Sequence, residues 1–279
     1  MMKLSRSSYH HEPRREIEQT KRDLELKEMI EKIQFRFPGY GYRRLRHHLL
    51  REGIRINSKR IRRVVKKFEL HTSFKKAVRG KGQALGKKLL FKNLIRGTKI
   101  TSKNQVWATD ITYIKLVREY VYLAAIIDVY TRKIVGWAIS REMSHKLCLE
   151  ALKIALAKEN PPRGVIHHSD RGTQYSCEDY VDFLNEHGFK ISMSRLATPE
   201  DNAFIESFFK TLKREEVLQK KYQTMKDVVT QLPNFIDEIY NTERLHSALG
   251  YKPPTEFEAE VMNLKPAKRP VQKIWGFAV

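Results

Sequence analysis

The chain has 279 residues, enough for one large domain or two smaller ones, and its longest apolar run (121–127) is far too short to span a bilayer. The two cysteines, Cys148 and Cys177, exclude a disulfide framework and a thiolate zinc cluster, and no apolar N-terminal stretch resembles a signal sequence, so we expect a cytoplasmic protein with no membrane partner. The net charge of +22 predicts a polyanionic partner, and nucleic acid is favoured because the basic segments lack the wide apolar face that a membrane surface requires.

The excess charge lies in the first 104 residues. Residues 1–70 contain 20 Lys/Arg and 9 Asp/Glu, residues 71–104 contain 10 Lys/Arg and no acid, and residues 105–279 contain 24 Lys/Arg and 23 Asp/Glu. A nearly neutral domain therefore follows a strongly basic arm. The arm indicates nucleic-acid binding, although a cationic surface that only keeps the protein in solution would have the same composition.

Residues 1–70 are predicted to form a basic, all-α, helix-turn-helix-like region. The apolar spacing and the Pro/Gly breaks indicate helices over 21–36, 42–53 and 58–70. In the third helix the apolar residues recur at one face, so its cations point away from the core, as in the helix that enters the major groove. A three-helix bundle with a solvated basic face is the alternative. The cations that we expect to contact DNA are Arg60, Arg63, Lys66 and Lys67.

The rest of the chain divides into three further parts. Residues 71–104 are predicted to be a basic linker that follows the phosphates of DNA. Residues 105–257 contain alternating and apolar runs that indicate the order βββαβαβα, an α/β domain with a mixed sheet and helices packed across it. Residues 258–279 are predicted to be a C-terminal tail.

Three acidic residues are placed where a catalytic site is expected. Asp110 lies within the first strand of the domain, Asp170 closes the fourth strand, and Glu206 lies on the long helix, where Asn202, Lys210 and Lys213 share its polar face. Three carboxylates are oxygen ligands that suit Mg²⁺ or Mn²⁺, ions that also accept phosphate oxygens. Two such ions would activate an attacking oxygen and stabilise a leaving one.

Other chemistry at this site is disfavoured. His167 and His168 precede Asp170, but no second His/Cys cluster accompanies them, as a transition-metal site would require. Ser169 lacks the glycine pattern of a nucleophile elbow. Asp128 is the main rival carboxylate, and we expect it to order the turn that contains Arg132.

Four motifs give the chain a family resemblance. They are W-A-T-D-I-T-Y at 107–113, H-S-D-R-G-T-Q-Y at 168–175, D-N-A-F-I-E-S-F-F-K-T-L-K at 201–213, and Y-N-T-E-R-L-H-S-A-L-G-Y-K-P-P at 240–254, with 35 residues between Asp170 and Glu206. Residues 105 to about 257 resemble the integrase core of DDE transposases and retroviral-type integrases, which has a ribonuclease H-like fold. The whole chain resembles the OrfB product of bacterial insertion sequences that transpose by copy-out and paste-in.

The resemblance implies roles for particular residues. Asp110, Asp170 and Glu206 would be the catalytic metal-binding triad, with two Mg²⁺ (or Mn²⁺) ions per site. Lys213 would contact DNA near the element end. The other residues of these motifs would support the site or bind DNA: Asn202, Lys210, Arg244 and His246.

The implied partners are double-stranded DNA, as element ends and as target, and further copies of the chain in a homodimer or larger oligomer on the bacterial nucleoid. The opening residues resemble the end of an upstream helix-turn-helix, so an upstream-frame protein or fusion is a possible partner. Three departures are notable: the zinc module of retroviral integrases is missing, no glycine precedes the Glu206 helix, and Arg-Leu-His at 244–246 replaces Arg-Pro-His.

Two other functions remain as alternatives to DNA cleavage and strand transfer. A structure-specific nuclease of the ribonuclease H kind would use the same metal chemistry without strand transfer. A non-catalytic DNA-binding regulator would need only the basic helical region.

Overall fold

The computed structural model describes residues 6–70, 91–196 and 198–273, with side chains from residue 17 onward except those of residues 199 and 273. The chain separates into two compact units, Met1–Lys76 and Ala77–Val279. Within the described ranges, no helix is sufficiently long and apolar to cross a membrane.

The first unit is helical, as predicted. Helices α1 (Arg6–Arg36), α2 (Tyr42–Arg51) and α3 (Ser58–Lys67) pack around apolar side chains that include Ile30, Leu45 and Ile61, all fully buried. Asn57 begins α3, and its side chain accepts a hydrogen bond from the amide of Lys59 at 2.9 Å. The turn after α2 contains Gly53 at φ +82°, a backbone conformation that glycine adopts without strain.

The second unit is built on a five-stranded sheet. Its first part contains β1 (Lys99–Ile100), β2 (Val106–Lys115), β3 (Tyr120–Asp128), β4 (Ile134–Ser140), α4 (His145–Glu159), β5 (Ile166–Ser169), α5 (Glu178–Glu186) and β6 (Lys190–Met193). The sheet order is β4-β3-β2-β5-β6, with β2, β3 and β4 antiparallel and β5 and β6 parallel to β2. This topology confirms the predicted α/β mixed sheet of the ribonuclease H-like kind.

Helices cover both faces of the sheet. The second part of the unit contains α6 (Ala203–Leu212), which continues through a π-helical turn (Lys213–Val217) into α7 (Leu218–Lys220), then α8 (Met225–Pro233), which continues as a π-helix (Asn234–Glu243), then α9 (Pro254–Asn263) and β7 (Gln272–Lys273). One core, with Phe208 and Tyr240, lies under α6 and α8, and the other, with Trp107 and Tyr180, lies under α4 and α5.

Two segments that were predicted to lie outside the catalytic domain pack against it. In the predicted linker, residues 71–90 lie outside the described residues, whereas Ile95 and Ile100 are buried in the core of the second unit. The amide of Leu94 also donates to Ser192 Oγ at 2.8 Å. At the other end, α9 extends past residue 257, and Val261 is buried. These apolar side chains attach both segments to the sheet domain.

Candidate active site

Asp110 lies at the point where β2 loses one of its neighbours. The parallel pairing of β2 with β5 extends to Ala108–His168, whereas the antiparallel pairing with β3 places Asp110 opposite Ala125 and continues to Lys115. Asp110 is half-buried, and its Oδ1 accepts a hydrogen bond from the amide of Ile111 at 2.8 Å. The side of β2 beyond Asp110 is therefore available to form a cleft.

Asp170 follows the last residue of β5 and is exposed at this end of the sheet. Its Oδ1 accepts a hydrogen bond from the amide of Gly172 at 2.8 Å. A Cβ on residue 172 would lie only 2.9 Å from that oxygen, so a larger side chain would push the carboxylate out of position. Gly172 thus helps to fix the direction in which Asp170 points.

Glu206 is placed by the start of α6. The buried side chain of Asn202 donates from Nδ2 to the carbonyl oxygen of Thr109 at 2.9 Å, which ties the turn before α6 to the residue that precedes Asp110. Glu206 lies one turn into the helix and is 27% exposed, with Lys210 Nζ at 3.7 Å from its Oε2. The supporting role of Asn202 at the site stays a prediction.

The pKa of Asp110 depends on the charged side chains that surround it. Burial raises its pKa, and the carboxylates of Asp170 and Glu206 raise it further, to about 8, against the opposing charge of Lys213. Lys213 is half-buried: burial lowers its pKa, while the charge of Asp110 acts in the other direction. Its Nζ lies 4.4 Å from the centre of the Tyr113 ring. The three acids and Lys213 thus lie within electrostatic reach of one another.

The carboxylates do not yet form a ligand cluster. In the part of the chain that the structure describes, no three His, Cys, Asp or Glu side chains are arranged to hold a metal ion. The charges of Asp170 and Glu206 nevertheless both act on Asp110, so the three acids lie in one electrostatic neighbourhood.

The two histidines beside Asp170 belong to the packing of the sheet. His167 is buried with its Nε2 at 2.9 Å from Tyr180 Oη, and burial lowers its pKa to about 3. His168 is held between Ser192 and Ser194 at 2.9 and 3.1 Å, and burial lowers its pKa to about 4. Both rings are neutral at physiological pH, and their nitrogens are engaged within the fold.

Arg244 lies in a different environment from the one that the DNA-contact prediction assumed. Its guanidinium is 4% exposed and donates from Nε and Nη2 to the buried carboxylate of Glu215, both at 2.7 Å. This geometry leaves no surface for a phosphate in the present conformation. His246 is also buried and packs edge-on to Tyr240 at 4.8 Å between ring centres. Lys210, in contrast, is exposed.

The cations of α3 in the first unit fall into two groups. Arg63 donates to the buried carboxylate of Asp23 at 2.9 Å, and Arg60 lies 3.4 Å from the same group. Lys66 and Lys67 are exposed. Arg60 and Arg63 thus hold α3 against α1, whereas the two lysines point to the surface.

A hydrogen-bonded cluster around the buried carboxylate of Asp201, at the turn before α6, was not predicted from the sequence. Arg195 donates to both carboxylate oxygens of Asp201 at 3.0 Å, and Asn93 Nδ2 donates to the same group at 2.9 Å. Burial would raise the pKa of Asp201, but these hydrogen bonds outweigh it and lower the pKa to about 2. The sequence signal that was available for this pairing is an aspartate in the turn before α6, six residues after an arginine. Asp128, as expected, orders its turn, accepting from the amides of Asn104 and Thr131.

Comparison with known proteins agrees with this architecture. Two family models described as integrase core domain match residues 101–199 and 187–254, and an HTH-like domain model matches residues 21–78. The transposase for insertion sequence element IS904 of Lactococcus lactis subsp. lactis (strain IL1403) is 37% identical over 86% of this chain and 96% of its own length. The insertion element IS600 uncharacterized 31 kDa protein of Shigella sonnei is 36% identical over 91% of this chain and 94% of its own length.

Among solved structures, the simian T-cell lymphotropic virus intasome in complex with PP2A regulatory subunit B56 gamma has a TM-score of 0.49 at 13% identity, covering 87% of this chain and 77% of that chain.

The helix-turn-helix-like domain and the integrase core together define a transposase, a polynucleotidyl transferase that acts in DNA transposition. Because the chain spans nearly the full length of relatives that are more than 30% identical to it, it belongs to the insertion-sequence transposase family with an integrase core domain. The sequence-based resemblance to this family is confirmed.

Proposed function

We propose that this chain cleaves DNA at the ends of an insertion sequence and joins the cleaved strands to new DNA, with Asp110, Asp170 and Glu206 as its catalytic acids. The observation that carries the proposal is how the fold places the three acids: Asp110 lies where β2 loses its pairing with β5, Asp170 follows the end of β5, and Asn202 ties the start of the Glu206 helix to Thr109. The pKa of Asp110, raised by burial and by the charges of Asp170 and Glu206, agrees with a functional site.

The donor set fits a divalent cation. Three carboxylates offer only oxygen ligands, which Mg²⁺ and Mn²⁺ prefer, and the repulsion that raises the pKa of Asp110 is what a bound cation would relieve. Such an ion, or a pair of ions, would supply Lewis-acid activation of a phosphodiester. Asp110, Asp170 and Glu206 would hold it.

The remaining residues of the site act on position and charge. Asn202 keeps α6, and therefore Glu206, against β2. The ammonium of Lys213 lies close to the acids and would neutralise a DNA phosphate brought to them. Because burial and the neighbouring carboxylates raise the pKa of Asp110, metal binding at this site would be weaker at lower pH.

The proposed reaction uses two kinds of in-line step, hydrolysis and strand transfer. Water attacks the phosphodiester at an element end and displaces the element's 3′-oxygen as a free hydroxyl, which attacks a phosphodiester beside the other end and displaces the 3′-oxygen of the flanking strand. A later hydrolysis of the joined ends releases new 3′-hydroxyls, which attack target DNA in the same way. Neither step needs a covalent enzyme intermediate. Because two ends must be held together, the active form would be a dimer or larger assembly on DNA.

The test is a strand-joining assay with a supercoiled plasmid that carries the DNA flanking this gene, in Mg²⁺. Glu206→Gln should reduce cleavage and joining by more than about 100-fold while DNA binding is kept, because it removes one metal ligand and little volume. Glu178→Gln, which changes an exposed acid on α5, is the matched control and should behave as the wild type.

The outcomes separate the competing functions. Joining by wild type and Glu178→Gln, but not by Glu206→Gln, supports the transposase. Nicking without joining, strongest on RNA-containing substrates, favours a nuclease. Joining by Glu206→Gln would disprove the assigned role of this residue.

A further inference from the structure

Two half-exposed tyrosines form an aromatic corner beside the candidate active site, at the end of the β2–β3 hairpin. Tyr113 is 47% exposed and Tyr120 is 49% exposed. Their ring centres lie 5.6 Å apart with the planes at 78°, an edge-to-face arrangement. Tyr113 follows Asp110 by three residues on the same strand, a distance of about 10 Å along β2. Each ring presents apolar surface to solvent. Because side chains alternate along a strand, Tyr113 leaves the opposite face of β2 from Asp110, so the corner lies around the open edge of β2 from the acids.

Lys213 connects this corner with the acids. Its Nζ lies over the ring of Tyr113 at 4.4 Å from the centre, and it also feels the charge of Asp110. A cation held over an aromatic face is restrained in position by the ring. Aromatic surfaces next to a cation are the combination by which proteins bind unpaired nucleotides, with bases stacked on the rings and phosphates on the cation.

The register of the sheet leaves the corner accessible. β2 pairs with β5 only as far as Ala108, so beyond Asp110 one side of β2 has no neighbouring strand among the residues that the structure describes. Tyr113 lies on this stretch. A nucleotide whose phosphate rests at the acids and Lys213 can therefore extend its base past Lys213, around this open edge of β2, to the corner.

We propose that Tyr113 and Tyr120 bind the unpaired base of the nucleotide that flanks the scissile phosphate, with Lys213 on its backbone. The inference rests on the proposed function and specifies the form of DNA that the site holds: an end that has opened, not a fully paired duplex. A paired base is already stacked within the DNA helix and cannot reach the rings. Opening the last base pairs frees this base, and stacking on the tyrosines offsets the free-energy cost of opening.

A fluorescent base tests the proposal on the full-length chain. The probe is a duplex of the flanking element end, opened at its last few pairs, with 2-aminopurine as the unpaired base beside the scissile phosphate. Wild type and Tyr113→Phe should quench the fluorescence, whereas Tyr113→Ala and Tyr120→Ala should lose most of the quenching and bind the probe roughly 5- to 100-fold more weakly. Val229→Ala, an exposed apolar residue of α8, is the control and should quench fully.

An abasic probe separates base stacking from a general weakening of the fold. When the unpaired nucleotide has no base, wild type and Tyr113→Ala should bind with equal affinity, and their thermal melts should coincide. Quenching by Tyr113→Ala equal to that of wild type, or an equal loss of affinity on probes with and without the base, would overturn the proposal. Because Glu206→Gln should still quench, failure of the stacking site can be told from failure of the catalytic assignment, which the joining assay measures.

Discussion

The environment of Asp110 should make the stability of the metal-free protein depend on pH. Its pKa is raised to about 8 by burial and by Asp170 and Glu206, from an ordinary value near 3.8. A carboxyl group whose pKa is raised by folding contributes stability below the unfolded pKa and loses it as the pH rises through the folded one. The metal-free chain should therefore lose stability between about pH 4 and pH 8, and Asp110→Asn should stabilise it near neutral pH by on the order of 1 kcal/mol.

Thermal melts in EDTA from pH 4.5 to pH 8 measure this difference. The melting temperatures of wild type and Asp110→Asn should converge at the acid end, and Mg²⁺ should stabilise only the wild type, since binding requires the carboxylate. Asp182→Asn, which changes an exposed acid on α5, should match the wild type in both its pH dependence and its stabilisation by Mg²⁺. An Asp110→Asn protein that melts below the wild type at pH 7.5 would contradict the electrostatic account.

Arg244 illustrates a residue whose motif was recognised from sequence while its environment was not. Its partner Glu215 is 29 positions earlier and lies on the π-helical turn after α6, a pairing that only the packed fold creates. Removing one member of a buried ion pair leaves the other charge uncompensated. We expect Arg244→Met to lower the free energy of unfolding by about 3–5 kcal/mol.

Urea denaturation measures the effect, and a second substitution gives the control. Arg244→Met combined with Glu215→Leu removes both charges and should recover much of the lost stability, because no unpaired charge remains. If Arg244→Met folds as stably as the wild type yet binds DNA less tightly, the original prediction of a DNA contact is correct and the structural role is not.

At the scale of elements, α3 has two different cationic faces. Arg60 and Arg63 are held by the buried Asp23, whereas Arg62 stacks on Tyr42 at 5.2 Å and, with Lys66, lines a groove of about 450 Å³. We expect Arg62→Ala/Lys66→Ala to weaken DNA binding. The slope of log K against log[NaCl] should become shallower by about two, roughly one for each phosphate contact that is lost. Arg60→Ala/Arg63→Ala should mainly destabilise the unit, because Asp23 stays buried without its partners.

Fluorescence anisotropy against NaCl concentration gives the salt dependence of both double variants, and thermal melts give their stability. The two measurements should rank the variants in opposite orders. A well-folded Arg60→Ala/Arg63→Ala protein with the larger loss of salt dependence would place the DNA on the Asp23 side of α3 instead.

The elements that were predictable from sequence are those with strong periodicity. The i, i+3, i+4 spacing in α3 predicts a helix because that helix buries one face. The alternation in 106–114 predicts a strand, although the first half of β2 is buried on both faces, between the two cores. Residues 91–104 have no such period, and their charge hid the fact that Ile95 and Ile100 insert into the core. Likewise, the sequence showed Asn202 only as part of a motif. Its hydrogen bond to the Thr109 carbonyl could not be predicted, because the two residues are 93 positions apart and meet only when β2 and α6 pack together.

For the whole molecule, charge and chemistry are divided between the two units. Residues 1–76 contain 22 Lys/Arg and 9 Asp/Glu, and residues 77–279 contain 32 and 23, with 8 of those cations and no acid in residues 77–104. All three proposed catalytic acids lie in the second unit, which has its own buried cores. DNA affinity should therefore be separable from the fold of the catalytic site.

A fragment of residues 77–279 tests this division. It should melt cooperatively, because no buried side chain of its cores belongs to the first unit. Its affinity for DNA near physiological salt should fall by about 10-fold or more, with a shallower slope of log K against log[NaCl], because the fragment lacks the α3 cations that are predicted to contact phosphates. Full-length Glu206→Gln should retain the wild-type slope, since it changes the site and leaves the basic residues in place. A fragment with the slope of the full chain would mean that residues 77–104 and the catalytic unit make nearly all of the phosphate contacts, and that the first unit has a role other than DNA affinity.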